Sequence, residues 1–316
     1  MSGDDPVVDE LTRHGVRVET DRPLGPLTTY RVGGPARWFV AVTDDAQLGA
    51  VAAATAALHA AGVAPEVLVV GNGSNLLIAD AGFDGLVVHL EGFDEIRVED
   101  TVVDAGGATL LPVLARRTVR AGLIGFEWAV GVPGSLGGAV RMNAGGHGSD
   151  LAASLVEVHL WDLHTGENVV MPAAQLDLGY RRSALLPHHV VSAATLQLRH
   201  GDAATAEAEL SGIVAWRREH QPGGQNAGSV FRNPTAPTGP TASAGELIDR
   251  AGCRGLRIGT AVVSDKHANF IQADPGGSAD DVRRVIEAVR DRVRAVHGID
   301  LQTENVMIGF TEGDHP

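Results

Sequence analysis

One cysteine, Cys253, is all this chain carries, which excludes an intrachain disulfide and a metal site built on several thiolates. Aromatic residues make up only 4%, so its cores must be built from Val, Leu, Ile and Ala. No apolar run approaches the length that spans a bilayer. The acidic start, Met1-Ser2-Gly3-Asp4-Asp5, lacks the pattern of a secretory signal. Lysine occurs once, at Lys266, a bias read as genomic. There is no basic surplus either: the net charge is -14, which disfavours a nucleic acid or an anionic membrane as partner. A local arginine cluster can still hold a small anion. These absences point to a cytoplasmic protein with no metal centre, taken as a monomer by default. What is present fits a globular fold: 316 residues, 44% hydrophobic and 20% charged, enough for about two domains.

Periodicity predicts a helix over 44–61, with Asp44 as cap, Leu48, Val51, Ala52 and Leu58 on one face, and Gly62 past its end. Strands are expected at 66–70, 76–78, 84–90, 95–98 and 101–104, followed by a helix over 109–120. Residues 155–161 and 168–171 read as a hairpin around His164-Thr165-Gly166, and 189–198 as a strand. A long helix over 203–220 precedes a Gly/Asn/Pro-rich stretch, so a boundary is placed near residue 200. Beyond it come a short helix at 243–251 and strands at 261–264 and 269–273. A strong helix starts at Ser278, with Val282, Val285, Ile286, Val289, Val293 and Val296 on its buried face. The chain closes on an apolar strand at 306–309. The fold class is α+β.

Six segments hold side chains suited to chemistry. Gly71-Asn72-Gly73-Ser74-Asn75 lies between two apolar strands, where it is either an anion nest or a plain hairpin turn. Gly131-Val132-Pro133-Gly134-Ser135-Leu136-Gly137-Gly138-Ala139, extended by Asn143-Ala144-Gly145-Gly146, is too small-sided to build a core. It is either a flexible loop or, as the flanking Trp128, Val130, Val140 and Met142 favour, a packed one that can let a pyrophosphate lie against the backbone. In Tyr180-Arg181-Arg182-Ser183, adjacent arginines point differently, so that either one is inward and one in solvent or both are exposed. Gly228-Ser229-Val230-Phe231-Arg232-Asn233-Pro234 sets a hydroxyl behind a glycine, with a planar cation and an amide close by. Glu304 precedes the apolar run Val306-Met307-Ile308, a setting for a half-buried acid, and His267-Ala268-Asn269-Phe270 offers a further polar turn.

With Thr28-Thr29-Tyr30-Arg31-Val32-Gly33-Gly34-Pro35-Ala36 and Ala244-Gly245-Glu246-Leu247-Ile248-Asp249, these segments occur in an order and spacing that resemble the UDP-N-acetylenolpyruvoylglucosamine reductase family, from about Leu24 to Gly309. The resemblance implies non-covalent FAD in a two-lobed domain similar to the vanillyl-alcohol-oxidase (PCMH-type) flavoproteins, over 1–200 with the lobes split near 85–90. It also implies a substrate domain over 201–298 and a C-terminal segment, 299–316, that returns to the active site. The short stretch between Ser183 and Ser229 matches the compact type II branch.

The implied reaction is reduction of a UDP-sugar enolpyruvyl ether by NADPH, a step of peptidoglycan precursor synthesis. Carried over residue by residue, Ser229 is the proton donor, and Arg181 and Glu304 polarise the substrate carboxylate. Gly71, Asn72, Gly73, Ser74, Asn75, Gly131, Pro133, Gly134, Ser135, Gly138, Ala139 and Asn143 face FAD. Arg232, Asn233, Tyr180 and Asn269 face the substrate. Glu246 and Thr260 depart from the family pattern. The competing readings are a flavoprotein acting on another substrate and a nucleotide-sugar-binding protein without catalysis.

Overall fold

The computed structural model describes residues 5–234 and 242–310, an α+β fold. Its contacts divide the chain into two compact units. The first gathers the chain up to Arg22, Arg37–Asn72 and Asp84–Trp216, and the second holds Pro23–Ala36, Gly73–Phe83 and the chain from Arg217 onward. The sequence suggested contiguous spans. By contacts, two short N-terminal segments belong with the C-terminal part, one because the strand Leu76–Ile78 pairs with Val306–Ile308 and the other because Tyr30 and Val32 are buried in the same core. Among the described residues no helix is long and apolar enough to cross a membrane.

In the first unit a four-stranded sheet runs in the order 19–23, 35–42, 83–90, 67–70, with the last pair parallel. The helix Asp45–Ala60 starts at Asp44, whose carboxylate accepts from the Gln47 N–H at 2.9 Å. Leu48, Val51, Ala52 and Leu58 are buried, as the periodicity requires. Composition had not announced the helix Pro6–Arg13. It begins because Asp5 accepts from the Val7 N–H, while its other oxygen takes the Trp38 indole N–H at 3.0 Å.

A five-stranded antiparallel sheet follows, ordered 168–172, 155–162, 189–197, 102–106, 96–99. On Leu155–Asp162, Val158 and Leu160 face the core while His159 between them is exposed, the period-2 alternation of a half-buried strand, and the exposed Val156 sits at a shift of register between Leu155 and Glu157. The run Gly131–Ala139 is not the continuous loop its composition suggests. A 3-10 turn covers Glu127–Gly131, and the helix Leu136–Met142 starts inside the run, with Ser135 as its N-cap. Glycines permit this helix to lie against the sheet: a Cβ on Gly137 would meet the carbonyl oxygens of Gly107 and Val191 at 3.2 and 3.3 Å.

Asp162 closes the hairpin turn by accepting from the His164 and Thr165 N–H groups at 2.8 and 3.2 Å. His188 and His189 point Nε2 at the same carboxylate from 3.7 and 3.6 Å, and His164 stacks on His188 with centroids 3.6 Å apart. Although Asp162, His188 and His189 have the spacing of metal ligands, Nδ1 of His189 accepts from the Leu186 N–H at 3.2 Å. A neutral His189 therefore keeps its proton on Nε2, aimed at Asp162, and the trio reads as a turn-closing network.

Burial, and for His188 also the neighbouring His164, pushes both imidazoles below their ordinary value despite the opposing pull of Asp162. Burial alone would raise Asp162, but the two main-chain N–H groups and both imidazoles hold it below the usual range. The unfolded chain thus takes up histidine protons near pH ~6.5, which the folded chain resists until lower pH, so stability falls on acidification through and below that value. The melting temperature is expected to drop between pH 7.5 and 5.5, and His188→Gln with His189→Gln to flatten that slope in circular dichroism melts. An unchanged slope in the double variant would refute the assignment.

The second unit centres on the antiparallel strands Arg257–Ile258, Ala261–Val263 and Ile271–Ala273, covered by the helix Ala279–His297. Val282, Val285, Ile286, Val289 and Val293 are buried, but Val296 is exposed. In the last turn His297 takes the inward place, its Nε2 lying 3.1 Å from the Leu247 carbonyl oxygen. Gly298 ends the helix at φ 67°. Asp80 holds the other end, accepting from the Ser278 hydroxyl and from the N–H groups of Ala279 and Asp280.

Candidate active site

The strands flanking Gly71–Asn75 are not partners of each other. Val67–Val70 pairs with Phe83–Leu90, and Leu76–Ile78 with Val306–Ile308, which removes the plain hairpin reading. The loop is where the chain leaves the first unit for the second.

In the first unit Gly71 lies against the second small-residue segment so closely that a Cβ would stand 2.3 Å from the Ser135 hydroxyl oxygen. The main chain of Gly134–Leu136 is pinned by Leu111 N–H to Gly134 O at 3.0 Å and by Leu136 N–H to Thr109 O at 2.8 Å. The Thr109 hydroxyl and the Trp128 indole N–H, both buried, lack partners among the described residues. Sequence reading missed Thr109 and Gly107; the only signal was the pair Gly106-Gly107 just before the small-residue segments it supports.

Arg181 belongs to the first unit, at the tip of a two-residue turn closed by the paired main-chain bonds of Gly179 and Arg182. Its φ is 54°, a left-handed conformation that a non-glycine residue adopts only when its surroundings demand it. Arg181 is half-buried and donates to the Gly145 carbonyl at 3.1 Å, while Arg182 is exposed and pairs with Asp177. The inward and outward split is the one adjacent positions predict. Tyr180 is exposed, its ring centroid 5.2 Å from the Arg181 guanidinium carbon. Asn143, with φ 38° at the end of its helix, uses its amide on Asp150, the Gly179 carbonyl and the Ala152 N–H. That amide anchors the base of the Arg181 turn.

In the second unit the segments carrying Ser229 and Glu304 pair as antiparallel neighbours. Glu304 N–H donates to Val230 O at 2.7 Å and Arg232 N–H to Gln302 O at 2.9 Å, around a bridge between Phe231 and Thr303. Ser229 is half-buried, and its hydroxyl has no partner among the described residues. Glu304 is half-buried too. Asn75 braces it: the Asn75 amide donates to the Glu304 carbonyl at 3.0 Å and accepts from Asn305 at 2.9 Å. Gly73, with φ 56°, admits no side chain, since a Cβ would stand 2.2 Å from Leu27 O and 2.7 Å from the Cα of Thr28, the first residue of the Thr28–Ala36 motif.

Arg232 has a buried Nε with no partner among the described residues, a donor available to a bound anion. Asn233 accepts from the Ala244 N–H at 2.9 Å, where Ser243 caps the helix Ala244–Arg250. Asn269 is buried and turned to the main chain of Phe231. The two departures from the family pattern have local roles. Glu246 pairs with Arg250 on the helix surface, and Thr260 donates N–H and hydroxyl to Asp281 at 2.8 and 2.9 Å.

The residues present fit FAD. The bare backbone around Gly71, Gly134 and Ser135 and the unpartnered polar groups of Thr109 and Trp128 suit a long, phosphate-bearing ligand.

Comparison with known proteins agrees. Residues 39–171 match the model of an FAD binding domain, and residues 220–308 that of the UDP-N-acetylenolpyruvoylglucosamine reductase C-terminal domain. The UDP-N-acetylenolpyruvoylglucosamine reductase of Heliobacterium modesticaldum is 42% identical over 92% of this chain and 90% of its own length. That of Gloeobacter violaceus is 40% identical over 90% of this chain and 94% of its own. The crystal structure of the Thermus caldophilus reductase superposes with a TM-score of 0.76 at 33% identity, covering 93% of this chain and 98% of that one. Two matched domains in order, and identities near 40% along almost the whole length, mean that the chain belongs to the UDP-N-acetylenolpyruvoylglucosamine reductase family.

Proposed function

We propose that Arg181, Glu304 and Ser229 carry the chemistry of this flavin-dependent oxidoreductase, which uses NADPH to reduce the enolpyruvyl group of UDP-N-acetylglucosamine enolpyruvate to UDP-N-acetylmuramate. Bound FAD supplies hydride transfer, which no side chain provides. The substrate is an enol ether conjugated to a carboxylate. A hydride arriving at its β-carbon pushes charge into that carboxylate, giving an enolate-like dianion. The guanidinium of Arg181 offers a planar fork to the carboxylate, and Glu304 helps to polarise it. The Ser229 hydroxyl then gives its proton to the α-carbon. A serine is a weak acid, adequate here because the developing carbanion is a strong base.

The observation that supports this most directly is the pairing of the Ser229 and Glu304 segments through the 2.7 Å bond from Glu304 N–H to Val230 O. It holds the residues that bear a hydroxyl and a carboxylate on neighbouring antiparallel segments. Arg232, whose buried Nε has no partner among the described residues, is assigned to an anionic part of the UDP-sugar, and Asn233 and Tyr180 are assigned to the same substrate. FAD is assigned to the segments Gly71–Asn75 and Gly131–Asn143. The enzyme is taken to act as a cytoplasmic monomer, in keeping with its single cysteine and net charge of -14.

The purified protein is expected to be yellow and to release intact FAD on heating or acidification. NADPH oxidation should accelerate on addition of the enolpyruvyl substrate, with UDP-N-acetylmuramate as product. A colourless protein that takes up no added FAD would refute the cofactor assignment. A flavoprotein whose NADPH oxidation ignores the substrate would favour another alkene or alcohol.

A further inference from the structure

We infer that Asn269 is a positioning residue, whose side-chain amide holds the main chain at Phe231 and thereby sets the place of Ser229 beside Glu304. The inference rests on the roles proposed for those two residues. Family resemblance had suggested a substrate contact at Asn269, but its amide engages the protein itself. Nδ2 donates to the Phe231 carbonyl at 2.8 Å, and Oδ1 accepts from the Phe231 N–H at 2.9 Å. A third bond runs from Val230 N–H to the Asn269 carbonyl at 2.9 Å. Asn269 is 5% exposed, Val230 0% and Phe231 1%, so these groups are withdrawn from water and depend on one another.

The other edge of the same segment bonds to Gln302 and Glu304. Residues 230–232 are therefore held from both sides, by a side chain acting as a strand neighbour and by a true strand neighbour. On the N-terminal side Asn305 donates to the Ala227 carbonyl at 3.1 Å, and Gly228 turns the chain at φ 74°. Ser229 lies between these anchors, and its hydroxyl is left without a partner among the described residues. Its aim is set by the main chain next to it, and Asn269 fixes that main chain. An amide is required because it presents one donor and one acceptor. An aspartate would turn an acceptor toward the Phe231 carbonyl, and a glutamine would push the segment away by one methylene.

The test uses the FAD-loaded enzyme with Asn269→Asp, Ser229→Ala and the double variant, followed by stopped-flow absorbance of the flavin. Asn269→Asp is expected to slow enolpyruvyl reduction by about 10- to 100-fold, the scale of a misplaced reacting group. Flavin reduction by NADPH should stay within roughly threefold, as should the dissociation constant for UDP-N-acetylmuramate read from the flavin spectrum. In the Ser229→Ala background the same substitution should cost less than about threefold more, because a residue that acts by aiming Ser229 has nothing left to aim. If Asn269→Asp does not yield folded holoenzyme, Asn269→Gln is read in the same assays. A dissociation constant raised about tenfold at unchanged rate would make Asn269 a substrate contact and overturn the inference. Losses that multiply in the double variant would overturn it as well. A Ser229→Ala enzyme at the wild-type rate would instead refute the role of Ser229, whatever Asn269 does.

Discussion

Ser229→Ala should leave reduction of the flavin by NADPH within roughly tenfold of wild type, while slowing reduction of the enolpyruvyl substrate by about 100-fold or more. The two halves separate because only the second needs a proton on carbon. Ser229 is half-buried, its hydroxyl has no protein partner among the described residues, and it stands on a segment paired with that of Glu304. Removing one oxygen there disturbs no hydrogen bond among the described residues, so a change in rate reports on chemistry rather than on stability. Ser229→Cys should recover part of the loss, since a thiol also donates a proton. A Ser229→Ala enzyme whose flavin is reoxidised by substrate at the wild-type rate would reduce Ser229 to a turn residue.

The second large effect is expected at Arg181. Arg181→Ala should retain FAD and slow enolpyruvyl reduction by roughly 100- to 1,000-fold, the scale for losing one preorganised group opposite a developing charge. Arg181→Lys should recover only part of this. An ammonium keeps the charge but not the planar fork, and it is held less rigidly. The left-handed φ of 54° in a two-residue turn, with the guanidinium on the Gly145 carbonyl and the base of the turn tied to Asn143, keeps the charge in place. Strain maintained by surrounding bonds is what a preorganised electrostatic role calls for. Flavin content and product formation measured on the same preparations decide the matter. A variant that loses FAD while its residual holoenzyme turns over normally would place Arg181 with the cofactor instead.

Much of the architecture was legible along the chain because it rests on local chemistry. Asp44, Ser243 and Ser278 cap helices where a short polar side chain reaches back to free N–H groups, and the period of apolar residues marks the faces those helices bury. The hairpin at 155–172 follows from alternation and a Gly-containing turn. The glycines of Gly71–Asn75 and Gly131–Ala139 announced close backbone approach, and Gly71 meets Ser135 with no room for a Cβ. The helix Leu136–Met142 stayed hidden inside the second run. Its glycines weaken helix propensity, and packing against the 189–197 strand decides the matter instead.

The asparagines mark the limit of sequence reading. By itself the sequence determined the fold class, the ends of the long helices at 45–60, 203–220 and 279–297, the order of the motifs and the residue types available for chemistry. All of these depend on neighbours a few positions apart or on the linear spacing of segments. An asparagine amide serves a ligand or a main chain equally well, and nothing in its neighbours says which. Only the tertiary structure showed that Asn75, Asn143 and Asn269 spend their amides on the chain at Glu304, at the Arg181 turn and beside Ser229, because each bond joins segments between 36 and 229 residues apart in sequence. The same holds for the pairing of 76–78 with 306–308, which draws an N-terminal strand into the C-terminal unit. Long-range pairing is chosen by what the whole chain can bury and satisfy at once, and that choice is made in three dimensions.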